Sequence, residues 1–335
     1  MKTLKIKLGI FSLLAMITAS VFLISCEQEA ILQNNSLLEE LNEQDVTIGE
    51  RIIIDYINEK RQKLPSKVSE KGSQDYLDFL FEVGMGDYPD LTGKGSKYVK
   101  SSEELNSVID FVMQERASLY NNYPADDIQD EKEAITTRKG ELSSKNFLKS
   151  GVSYNRDAAR DYAIIWAYGR NSNYPDFSTA GGGGDCTNFV SQAVHHGGID
   201  MQGSGDGCKH ENNYSEWYVE AGGGWSCFGD WNSWEWATPW SVTWPFRYYH
   251  VYEADNAVAG WTKSASTADW FLNIGDVVQI QQWNGSYWST YHTMIVTADI
   301  YNDLKVTYHS DDMEGKKLST IPLGNNRRFM CVKFE

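Results

Sequence analysis

The chain is poor in the residues that usually mark metal and redox chemistry. It holds 5 Cys and 6 His in 335 residues, and no histidine precedes His195. Neither Cys-x-x-Cys nor His-Glu-x-x-His occurs, which removes the common zinc patterns. His195 and His196 are adjacent on a helical segment, so their side chains point apart and do not form a metal pair. Tryptophan is absent before Trp166, although all 12 lie between Trp166 and Trp288. Cations are also in deficit. The 30 Lys and Arg residues face 46 Asp and Glu, a formal net charge of −16. An acidic surface argues against nucleic acid and anionic lipid as partners.

What is present begins with a leader over residues 1–26. Lys2, Lys5 and Lys7 form a basic start, and an apolar run continues to Ile24. The run ends in Leu23-Ile24-Ser25-Cys26, which resembles a bacterial lipobox, with Cys26 lipidated and made the mature N-terminus. An ordinary secretory signal would carry a small-x-small cleavage site, and an uncleaved membrane anchor is the third alternative. All three export residues 27 onward, and a di- or triacylated cysteine would hold the protein to a bacterial membrane in the cell envelope. Without Lys2, Lys5 and Lys7 the 30 basic residues fall to 27 against 46 acidic, a net of −19. Export permits disulfides. Cys208 and Cys227 bracket a Gly- and Trp-rich loop and form the candidate bridge, with two free buried thiols as the alternative.

The change in tryptophan content separates two regions. Residues 27–145 read as helical, with polar residues from 121 onward suited to a linker. Ser36-Leu37-Leu38-Glu39, Thr47-Ile48-Gly49-Glu50 and Ser101-Ser102-Glu103-Glu104 each fit a capping box. Leu105, Val108, Ile109 and Val112 then recur at helical spacing, and Tyr76 to Phe81 form a further buried helical segment. The region would serve as a spacer, a helical cap or an inhibitory pro-segment. Residues 150–335 begin with helical patterns and end in strands: Val277–Ile280, Tyr291–Thr297, Lys305–His309 and Phe329–Phe334. Short turns at Trp283-Asn284-Gly285 and Asn302-Asp303 predict an antiparallel sheet and an α+β domain.

One segment carries chemistry. Four glycines, Gly181 to Gly184, lead into Asp185-Cys186-Thr187-Asn188-Phe189-Val190-Ser191-Gln192, and an amphipathic helix pattern starts at once. Asp185 suits an N-cap, which places Cys186 in the first turn, where the helix dipole favours the thiolate. A thiolate nucleophile needs a base and an orienting group. His292 at the start of a strand is the candidate base. His309 on the next strand is the candidate third member, with Asp311 as rival, because strand period puts Thr307, His309 and Asp311 on one face.

These residues resemble the bacterial putative amidase domain family of cysteine hydrolases. The resemblance runs through Tyr154-Asn155-Arg156, Tyr162-Ala163, Asn173-Tyr174-Pro175 and the Cys186 segment. Gly275-Asp276-Val277 and His292-Thr293-Met294-Ile295-Val296 are similar to strand motifs of NlpC/P60 and CHAP peptidoglycan hydrolases. The resemblance implies a papain-like (NlpC/P60-like) C-terminal domain, its catalytic helix packed on an antiparallel sheet, preceded by the helical N-terminal region. It implies amide hydrolysis through a thioacyl intermediate without a cofactor, acting on peptidoglycan stem peptides or other envelope peptides. Cys186 would attack, and His292 would take the thiol proton and return it to the leaving amine. Asp185, Asn188 and Gln192, with Trp231 from the Trp-rich stretch, are the candidate substrate contacts. Asn188 and Gln192 share one helix face and equally suit bonds to loops over the site. A peptidase on soluble peptides and an inert glycan-binding module are the competing functions.

Overall fold

A computed structural model describes residues 46–120, 154–178, 185–205, 213–221 and 234–335. The leader with Cys26, the Ser36–Glu39 box, Gly181 to Gly184, Cys208, Cys227 and Trp231 lie outside the described residues.

The N-terminal region is helical. Helix α1 (Ile48–Lys60) starts at Thr47, whose hydroxyl accepts from the Glu50 amide, and α2 (Gln74–Met85) starts at Ser73, which caps Tyr76 in the same way. A left-handed Gly86 ends α2. Helix α3 (Ser102–Tyr120) begins where the Ser101 hydroxyl accepts from Glu104 N. Ile53, Tyr56, Phe79, Leu80, Val83, Val108 and Val112 fill the space between the three. Gly49 allows α1 to press on α3, because a Cβ there would lie 2.0 Å from the Ser107 carbonyl oxygen.

The second region places α4 (Arg156–Trp166) and α5 (Cys186–His196) on one face of a sheet. A two-stranded ribbon, β1 (Val219–Ala221) with β2 (Trp234–Trp236), and helix α6 (Thr243–Tyr248) follow. Trp217 and Trp240 are fully buried here as core. The main sheet contains β3 (Ala257–Thr262), β4 (Val277–Trp283), β5 (Trp288–Asp299), β6 (Leu304–Tyr308), β7 (Met313–Lys317) and β8 (Arg327–Phe334), in the order β3-β8-β4-β5-β6-β7. Every pairing is antiparallel. The α+β class and the four sequence-derived strands are present. Strand β7 carries too few apolar residues to stand out, and in β3 the apolar residues are mostly small and interrupted by Gly260.

The sheet is covered on both faces. Val277, Ile295, Val332 and Phe334 meet α4 and α5 on the front. On the back, Val278, Ile280, Met294, Val296 and Tyr308 meet Phe81 and Met85 of α2. Burying such side chains stabilises by about 2 kcal/mol each. Arg327 fastens this back layer by donating to the carbonyls of Gly84 and Pro322, each at 2.7 Å. The described helices of the N-terminal region therefore lie behind the sheet, away from α5.

Two sequence motifs clamp the layers. Asp276 is fully buried; it pairs with Arg156 and accepts from Asn273 N at 2.7 Å and Phe334 N at 3.0 Å. Tyr154 donates to the Gly275 carbonyl at 2.6 Å. Gly275 has φ +86°, and a Cβ there would press within 2.8 Å of the Arg156 backbone. These residues hold the entry of α4 to the sheet.

Candidate active site

Cys186 is the first residue of α5 and is 3 % exposed. The β5–β6 pairing ends at Ile295 and Thr307, before Thr293 is reached. The Thr187 hydroxyl stands 3.8 Å from the sulfur, and the Thr293 amide, Thr187 and Ser310 all favour the ionised thiol. Thr187 also meets Thr293 Oγ1 at 3.1 Å. Burial raises the thiol above its ordinary value, and these groups only partly oppose it. Burial therefore acts against the lowering expected from a first-turn position in the helix.

Asp185 does not cap α5 with its side chain. Its fully buried carboxylate instead gathers a network. Oδ1 accepts from Asn188 Nδ2 at 2.6 Å and Phe177 N at 3.3 Å. Oδ2 meets His309 Nδ1 at 2.8 Å and Arg170 Nε at 2.9 Å. His309 stacks on Phe189, and its Nε2 stands 2.8 Å from the Trp166 carbonyl. Nε2 also stands 3.4 Å from Arg170 Nη1.

The structure does not bring His292 to Cys186. His292 points to the back face, edge-on to Phe81 at 4.9 Å and Tyr308 at 4.8 Å. Its neighbour Thr293 takes the front position, because consecutive strand residues face opposite ways. Asp311 is likewise off the front face. The strand ends at Tyr308, Ser310 takes φ +85°, and the parity that would align Thr307, His309 and Asp311 is broken. Asp311 lies among Glu82, Asp87 and Asp78 of the helical region and Asp312; burial and those charges push it up to about 7.

Asn188 is fully engaged in scaffolding, and Gln192 is engaged through its carbonyl oxygen. Asn188 donates to the Pro175 carbonyl at 2.8 Å and accepts from Trp240 Nε1 at 2.8 Å. Gln192 accepts from the Tyr162 hydroxyl at 2.6 Å. His195 meets the Ile199 carbonyl and His196 stacks on Tyr162. Among the described residues no group of three or more His, Cys, Asp or Glu is arranged to hold a metal ion. Cys186 and Cys331 are free thiols. Arg170, Thr293, Ser310 and Asp312 are site residues that the sequence reasoning missed. Arg170 stands three residues before Asn173-Tyr174-Pro175, and that proximity was the available signal.

A family model described as a putative amidase domain matches residues 153–332, more than half of the chain. No curated protein matches the chain, and no solved structure does.

Proposed function

Because the chain belongs to the putative amidase domain family and is thereby an amide hydrolase, we propose that Cys186 is its nucleophile. The observation that supports this most is the place of the sulfur, on the first residue of α5 with the Thr187 hydroxyl 3.8 Å away and the Thr293 amide and Ser310 also favouring the thiolate. Polar groups beside the sulfur stabilise the thiolate as it forms. His309, held by Asp185, is the proposed acid–base partner. Its Nε2 leaves the Trp166 carbonyl, takes the thiol proton, and returns it to the departing amine. Water then cleaves the thioester. The fold is proposed to be papain-like, since a cysteine-bearing helix packs on an antiparallel sheet.

The lipobox-like segment ending at Cys26 favours an exported, lipid-anchored enzyme, and the proposed substrates are envelope peptides such as peptidoglycan stems. The test is amine release from muropeptides and from soluble peptides by residues 27–335 and by Cys186→Ala. Loss of release in the variant supports the nucleophile, and retained release contradicts it. Cleavage of soluble peptides alone would remove the envelope substrate.

A further inference from the structure

Asp185 poses an electrostatic problem for a cysteine enzyme. Its buried carboxylate immediately precedes Cys186, and a negative charge there opposes thiolate formation. The carboxylate also holds Asn188, the Phe177 amide and His309 in place. Among the described residues one permanently charged group lies against it. Arg170, in the loop after α4, sets Nε 2.9 Å from Asp185 Oδ2. Its Nη1 and Nη2 fork onto Asp312, each at 2.9 Å. Asp176 stands 3.6 Å from Nε, and His309 Nε2 stands 3.4 Å from Nη1.

We propose that Arg170 is a positioning residue for the Cys186 thiol: its guanidinium offsets the Asp185 charge at the start of the catalytic helix, and Asp312 fixes its aim. This rests on Cys186 being the nucleophile. A guanidinium stays charged at any working pH, and its planar fork is what lysine cannot copy. The groups facing the sulfur are Asp185 and Thr187 of α5 and its entry, Thr293 of β5, and Ser310 beyond β6. Behind them stand Arg170, His309, Asp312 and Asp176. Asp185 is the one carboxylate acting on the thiol from this set, so the charge on Arg170 reaches Cys186 through it.

The test is thiolate absorbance at 240 nm against pH, taken as the difference between each protein and its Cys186→Ser counterpart, which requires no reagent access. In Arg170→Met the Cys186 midpoint should move up by about 0.5–1 pH unit, a three- to tenfold smaller thiolate fraction below the midpoint. Arg170→Lys should recover part of that shift, and Arg170→Gln should show an upward shift like that of Arg170→Met. Arg160→Met, which removes an equal charge paired with Asp157 and Asp161 on α4, should leave the midpoint unchanged. An unchanged midpoint in folded Arg170→Met overturns the proposal. If that variant does not fold, an unchanged midpoint in Arg170→Gln overturns it. Amide hydrolysis surviving in Cys186→Ala would instead remove the nucleophile assignment, whatever Arg170 does to the titration.

Discussion

Replacing Asp311 by Asn should stabilise the protein at alkaline pH and change it little in acid. Asp311 projects toward Glu82, Asp87 and Asp78 of the helical region, and Asp312 adds a further negative charge. Lys316 is already paired with Asp87. The Tyr308 hydroxyl and Asp87 Oδ2, buried beside them, have no hydrogen-bond partner. The folded-state value of about 7 stands about three units above an ordinary Asp. At 1.36 kcal/mol per unit this would amount to about 4 kcal/mol, but Asp311 is only half-buried, and solvent screening reduces it to roughly 1–2 kcal/mol. The sign follows from linkage. Between about pH 4 and pH 7 the folded protein holds a proton that the unfolded chain has released, so rising pH destabilises the fold. Above about pH 7 the carboxylate is ionised in both states and the full cost remains. Urea denaturation of wild type and Asp311→Asn at pH 4, 6 and 8 measures the difference directly. It should be near zero at pH 4 and grow to roughly 1–2 kcal/mol by pH 8. A difference independent of pH would refute the reasoning.

Asp276→Ala should cost about 3–5 kcal/mol in urea denaturation, because it leaves the Arg156 guanidinium without its buried partner. Gly275→Ala should destabilise by about 1–3 kcal/mol in the same assay, since the residue has φ +86° and its Cβ would press on the Arg156 backbone. His292→Leu should keep amide hydrolysis within about threefold of wild type, because the ring packs on Phe81 and Tyr308 at the back of the sheet. Abolished hydrolysis in a folded His292→Leu protein would return His292 to the site. His309→Asn should lower kcat by roughly a hundredfold or more in hydrolysis assays, the usual size of a lost acid–base group.

Much of the fold was legible from residues 154 onward. Helical spacing at Phe189, Val190, Ala193 and Val194 marked the buried face of α5, and β-branched runs marked β4, β5, β6 and β8. The facing of His292 was not legible, for a physical reason. A strand covered on one side alternates apolar and polar residues, and its parity can be read. Strand β5 is covered on both sides, by α5 in front and by α2 behind, so Met294, Ile295 and Val296 are all buried and give no alternation. The back layer comes from a region some 200 residues earlier, and its docking on the sheet left no local pattern. Asp311 escaped for a related reason: a left-handed non-glycine at Ser310 breaks strand parity without a glycine to announce it. Arg170 lay in plain view as an isolated basic residue, and only its approach to Asp185 distinguishes it from any surface arginine.

The most direct measurement is an acid-quench experiment on residues 27–335 mixed with a muropeptide digest, followed by peptide mass mapping. The expected result is an acyl adduct on the peptide containing Cys186, absent from Cys186→Ser and formed far more slowly in His309→Asn. Turnover of the digest with the label on another residue, or undiminished turnover by Cys186→Ser, would contradict Cys186 as the nucleophile.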